Sequence, residues 1–252
     1  MTTDPKPPVL ELTAPIRQEG NSGEAAVLIH GFTGHPGHWI PTADYLAVRG
    51  HTVVAPRLPG HGTSPADLAS TTAEDWIDSA LVASRSVADH RRVHLVGLSM
   101  GGLIGILIAR PTAAASITTI NSPVFTQDHK VTLAPLAKHW VPETRPAASP
   151  PPDPDLAHLW RPYATLPTAS VAELMTIIRR AFRAAGRLRR PALVIQSRAD
   201  ETVRPRSGTI LARRLDARLL WLEHSRHNAL LDPARSLVQE AVAGLIETPS
   251  DA

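Results

Sequence analysis

The chain has 252 residues, 43% of them hydrophobic and 19% charged, with a formal net charge of +3. That length suits one sizeable core, and that balance excludes a disordered, collagen-like or coiled-coil protein. There is no cysteine, which removes disulfides, thiolate-held zinc or iron–sulfur clusters and a thiol nucleophile together.

The opening residues lack the cationic and then apolar pattern of a secretory leader, so cytoplasmic residence is the expectation, and residues up to about 9 are expected to be loose. An apolar run at 25–30 ("AAVLIH") and another at 51–55 ("HTVVA") read as the first strands. A helix is predicted over 72–89, with Thr71 and Glu74 as its capping box and Trp76, Ile77, Ala80 and Leu81 as its buried stripe. A strand at 92–98 ("RVHLVGL") runs into the helix "MGGLIGILIAR", followed by a strand at 116–121. Further strands at 191–197 and 218–223 and a helix over 234–246 complete the alternation. This rhythm predicts an α/β protein, residues 1–252 forming one domain with a mostly parallel central sheet and helices on both faces. The longest apolar runs fall well short of the roughly 18 residues of a membrane span, leaving no transmembrane segment and at most transient contact with a membrane surface.

Between 123 and 186 the rhythm stops, and eight prolines between 141 and 167 disfavour a continuous helix or central strand. Trp140, Leu156, Leu159, Trp160 and Tyr163 make the stretch too apolar for a free linker, which predicts a cap insertion over the sheet. Trp140, Leu159, Trp160 and Tyr163 are candidate walls of an acyl groove; the alternative is that they only fasten the cap. In the Arg-rich run at 179–191, helical spacing turns Leu174, Met175, Ile178, Ala181 and Phe182 inward and Arg179, Arg180 and Arg183 outward. A solvated helix face accounts for the charge, and no nucleic-acid partner is expected.

The chemistry centres on "VGLSMGGLIG" at 96–105. Ser99 lies between a predicted strand and a predicted helix, with Gly97 and Gly101 where the turn brings the two close together, the context in which G-x-S-x-G lifts a serine hydroxyl above a sheet. A serine hydroxyl needs a histidine to take its proton and a carboxylate to orient that histidine. His227, in "EHSRHNALLD", follows the last predicted strand and is the candidate base, with His224 assigned a structural role. Asp200, just past the strand at 191–197, is the candidate acid, with Glu201 second and Asp216, Glu223 and Asp232 behind it. An oxyanion site needs two N–H groups; the candidates are those of Met100 and of Phe32, the latter in a loop where Gly31 and Gly34 permit unusual backbone angles.

These residues resemble the α/β-hydrolase superfamily, and within it the small bacterial carboxylesterases and monoacylglycerol lipases. The likeness is carried by "HGFTGHPGHW", "PRLPGHGTSP", "GLSMGG" and the Asp200/His227 pair with "HNALLD". It implies a Ser99, Asp200, His227 triad, an oxyanion hole from Phe32 and Met100, a short cap, and a small-molecule ester as the partner. The H-x-x-H pairs His35/His38 and His224/His227 lack a metal-site arrangement, and no G-x-G-x-x-G or Walker loop is present, so neither metal nor cofactor is expected. Thioester, lactone or carbon–carbon bond cleavage on the same triad is the rival chemistry. A non-catalytic, ligand-binding member of the fold is the rival class, and it would be expected to have lost a triad position.

Overall fold

A computed structural model describes residues 9–145 and 153–248. The expected loose amino terminus and part of the proline-rich stretch lie outside them. The main sheet has seven strands: β1 (Ile16–Gln18), β2 (Glu24–Ile29), β3 (Thr52–Ala55), β4 (Arg92–Leu98), β5 (Ser116–Ile120), β6 (Ala192–Ser197) and β7 (Arg218–Leu222). Their spatial order is β1-β3-β2-β4-β5-β6-β7, all neighbours parallel except the β1–β3 pair. The six parallel strands fall within a residue or two of the predicted runs. The edge strand β1 was not predicted: three residues, Ile-Arg-Gln, carry no readable alternation.

The central strands are buried along almost their whole length because both faces are covered. Along β2, Ala25, Val27 and Ile29 point to one core and Ala26 and Leu28 to the other, the period of two that a strand imposes. The first core is closed by α2 (Ala73–Arg85), α3 (Met100–Ile108), α4 (Thr168–Ala185) and α5 (Arg206–Leu215). The second is closed by α1 (Ile40–Val48) and α6 (Arg235–Glu247).

The capping box of α2 lies one residue later than expected. Thr72 Oγ1 accepts the Asp75 N–H, and Asp75 accepts the Thr72 N–H in return. Thr71 instead accepts a hydrogen bond from the Trp76 indole at 2.9 Å, and Glu74 pairs with Arg180. Trp76, Ile77 and Ala80 are buried and Leu81 is half-buried, as the predicted stripe requires.

The stretch 123–186 divides in two. α4 belongs to the helical layer, with Ile177, Ile178, Ala181 and Ala185 buried in the first core and Arg179 and Arg183 in solvent. The residues before it form short turns of helix, at His129–Leu133, Ala134–Ala137 and Pro154–Leu159, and a two-residue ladder pairing Glu143–Thr144 with Leu166–Pro167.

Candidate active site

Because β2, β4, β5, β6 and β7 run parallel, the loops holding Phe32, Ser99, Asp200 and His227 all leave the carboxyl edge of the sheet, where α/β folds place their sites. Ser99 caps α3 with φ 55 and ψ −118, a conformation a side-chain-bearing residue adopts only when its surroundings hold it. β4 and α3 meet so closely that a Cβ on Gly97 would lie 2.2 Å from the Gly101 carbonyl carbon, and α3 lies so close to β2 that one on Gly101 would lie only 2.0 Å from Ile29 O. Glycine at 97 therefore permits the turn, and glycine at 101 permits α3 to approach the end of β2. Ser99 keeps 9% of its surface accessible.

The loop after β2 lies against it. A Cβ on Gly31 would stand 3.2 Å from Ser99 Cβ, so bare backbone faces the serine there. Gly31 O accepts the Gly34 N–H at 3.0 Å, closing a turn with Phe32 and Thr33 at its centre. The left-handed residue in that turn is Thr33, φ 60, not either glycine, which corrects the expected reason for Gly31 and Gly34. His30 Nδ1–H donates to Gly31 O at 2.9 Å and its Nε2 accepts the Leu58 N–H at 3.1 Å. That arrangement needs the neutral ring, and burial holds its pKa well below 6.5. Rings tie the two glycine-rich stretches together: His30 packs on His61 at 5.1 Å between centroids, and Phe32 packs on His61 and Trp76. Met100, the other expected oxyanion residue, is fully buried at the start of α3.

Asp200 and His227 meet. His227 Nδ1 lies 3.0 Å from Asp200 Oδ1 and 2.9 Å from Oδ2. The carboxylate is held by the Thr202 and Val203 N–H groups on Oδ1, at 2.8 and 2.7 Å, and by the Gln196 amide at 3.4 Å from Oδ2. With Nδ1–H donating to Asp200, Nε2 is the nitrogen free to accept a proton. Burial pushes the His227 pKa down, but the Asp200 charge and hydrogen bond, with Glu201 adding to them, carry it above 6.5. The imidazole side chain retains 17% exposure while Asp200 retains none.

The second-ranked acids have other partners. Glu201 accepts the His227 N–H at 3.1 Å, Glu223 pairs with Arg198, and Asp216 is the left-handed cap of α5. Asp232 braces the histidine loop, accepting from Ser225 Oγ at 2.6 Å and from the Arg226 and Ala234 N–H groups. His224 is exposed. The four candidate groove residues are not brought together. Leu159 is buried in the second core. Tyr163 Oη donates to Gly60 O and accepts the Thr63 N–H, which fastens its segment to that loop. Trp160 stacks on His38 at 5.7 Å, and Trp140 is 79% exposed. Two residues that motif reading did not single out, Asn121 and Ser122, join the site from the end of β5; a strand-end "NS" carries no motif that would mark them.

A model of the alpha/beta hydrolase family matches residues 26–240. A thermostable monoacylglycerol lipase from Bacillus sp. (strain H-257) is 29% identical over 92% of this chain and 94% of its own length. A carboxylesterase from Bacillus subtilis (strain 168) is 24% identical over 89% and 92%. A solved structure described for LipS and LipT, two metagenome-derived lipolytic enzymes, superposes with a TM-score of 0.85 at 31% identity, covering 93% of this chain and 97% of that one.

Proposed function

The chain belongs to the alpha/beta hydrolase family, and on that premise we propose that it is a serine hydrolase of carboxylic esters with short to medium acyl chains, monoacylglycerols among them. The observation that carries the reading is the Asp200–His227 pair at 2.9 Å on the same sheet edge as a serine held at positive φ. The names of the similar lipolytic enzymes support the ester class.

In this reading Ser99 Oγ attacks the ester carbonyl while His227 Nε2 takes its proton, and Asp200 holds the resulting imidazolium. The carbonyl π electrons move onto oxygen, and the N–H groups of Phe32 and Met100 receive the negative charge; such a donor is worth about 10²–10³ in kcat. Collapse breaks the carbon–oxygen bond to the alcohol, which leaves with the proton from His227. Water, deprotonated by the same nitrogen, then releases the carboxylic acid and restores the serine. No metal or cofactor is needed for any of these steps. The turns of helix ahead of α4 are the proposed cap, fastened through Leu159 and Tyr163, with Trp160 left as the candidate to contact an acyl chain.

A series of p-nitrophenyl esters and monoacylglycerols from acetyl to palmitoyl, with an acyl thioester panel beside it, tests the reading. Expected is ester turnover whose kcat/KM rises over the first several carbons, because each CH₂ buried is worth about 0.8 kcal/mol, and then falls. A preference for thioesters over every ester would replace the assignment.

A further inference from the structure

Three consecutive residues at the end of β5 reach the parts of the site that must stay in register. Ile120 O accepts the Ser99 N–H at 2.7 Å, and Ser122 Oγ donates to Ser99 O at 2.8 Å. Between them Asn121 is fully buried and left-handed, φ 49. Its amide nitrogen lies 2.8 Å from His227 O, 3.1 Å from Arg226 O and 2.9 Å from Ser197 Oγ. Its amide oxygen accepts the Ser197 N–H at 2.7 Å and the Gln196 side chain at 3.2 Å, and that same Gln196 amide reaches Asp200. Two backbone carbonyls demand a donor on one side and a backbone N–H demands an acceptor on the other, so the orientation of the amide follows from its partners.

We propose that Asn121 is a positioning residue that sets His227 relative to Ser99 and Asp200; the inference rests on the triad reading above. His227 stands five residues past the end of β7, in a loop whose His224 and Arg226 are exposed. Asn121 ties the carbonyls of that loop to the interior, on the same strand end that grips the serine turn. Asparagine is suited to the position because it alone among the common side chains combines a short planar donor–acceptor pair with tolerance of the left-handed region. Losing the tie lets the loop drift, and a misplacement of about 1 Å costs on the order of 10²-fold in rate.

The test compares wild type, Asn121→Gly, Asn121→Asp and Ser99→Ala on one short-chain p-nitrophenyl ester. Glycine keeps the left-handed backbone and removes the amide. Aspartate keeps the acceptor for Ser197 N–H and turns the donor facing two carbonyls into an acceptor. Expected for both Asn121 variants is a fall in kcat of about 10–100-fold with KM within about twofold. In Asn121→Gly the acid limb of the kcat–pH profile also moves down towards about 6.5, since His227 loosens from Asp200 and Glu201, the two carboxylates that face it. A folded Asn121→Gly protein with wild-type kcat, or with a rate loss that leaves the acid limb in place, overturns the positioning role. If the glycine variant fails to fold, Asn121→Asp decides, and full activity in it overturns the role as well. Full activity in Ser99→Ala overturns the triad reading and this inference with it. An inactive Ser99→Ala beside fully active Asn121 variants overturns the positioning role alone.

Discussion

Each end of the sheet carries a carboxylate hydrogen-bonded to a histidine, and a serine. At the amino ends of β2, β4 and β5, Glu24 Oε2 lies 3.0 Å from His94 Nε2, and His94 Nδ1 lies 2.7 Å from Ser116 Oγ. At the carboxyl ends, Asp200 holds His227, and Ser99 sits on the turn after β4. The first constellation is sealed, with Glu24, His94 and Ser116 each no more than 3% exposed. Ser116 is an ordinary strand residue in register with His94, whereas Ser99 is forced into positive φ. The carboxylates differ too. Glu24 shares its charge with Arg91 and Arg92, and although burial pushes its pKa up, hydrogen bonds from Arg92, His94 and Arg91 hold it down at about 2. Burial then dominates His94 and lowers its pKa despite Glu24, while Asp200, held by the Thr202 and Val203 N–H groups, raises that of His227. A carboxylate–histidine–serine chain is thus not by itself a site: in the proposed reading, a raised, partly open imidazole, a serine lifted by a strained turn and backbone facing it are what separate chemistry from packing.

The largest expected effect separates the carboxylates by rate. Asp200→Asn should lower kcat by about 10⁴ with the fold intact, because the amide favours the wrong imidazole tautomer. Glu24→Gln should leave kcat of the folded protein unchanged. Equal rate losses in steady-state assays of the two variants would erase the distinction. Stability should show the reverse order. Glu24→Ala takes the carboxylate away from Arg92, itself only 18% exposed and left with the Ile246 and Thr248 carbonyls, and from His94, so urea unfolding should report a loss of about 3–5 kcal/mol. A loss below that of an exposed pair, about 1 kcal/mol, would show that the sealed end is not held by its charges.

Smaller, but specific in sign, are the pH effects. Glu24 has a folded pKa depressed to about 2 from 4.5, so the stability it contributes is present above pH 4.5 and is lost as pH falls towards about 2. His227 has a raised pKa and must be neutral to accept the serine proton, so the acid limb of kcat/KM should have its midpoint above about 6.5. A midpoint below 6.5 in the wild-type profile would contradict the Asp200–His227 electrostatics.

Much of the carboxyl end was readable in the chain, and little of the amino end. The parallel strands show as mostly apolar runs because both faces are buried, and the glycines at 97 and 101 announce a close approach of strand and helix that their missing Cβ atoms allow. Glu24 could not be anticipated as a buried ion, since Arg92 is 68 positions away and only strand pairing brings the two together. The same holds for Asn121, whose partners at 197 and 227 are set by sheet order. Local ambiguity explains the misplaced cap of α2: Thr71/Glu74 and Thr72/Asp75 both satisfy the spacing, and the choice falls to Thr72 while Thr71 is taken by the Trp76 indole. Leu159 and Tyr163 looked like groove walls because apolar content cannot tell a surface that grips a substrate from one that grips the sheet.

The contrast between the two serines is tested most directly by a fluorophosphonate reagent and peptide mass mapping of the native protein. Expected is one adduct per chain, on Ser99, no adduct on Ser116, and no labelling of Ser99→Ala. Stoichiometric labelling at Ser116 or any other serine, or none at Ser99 in a folded and active protein, would contradict it.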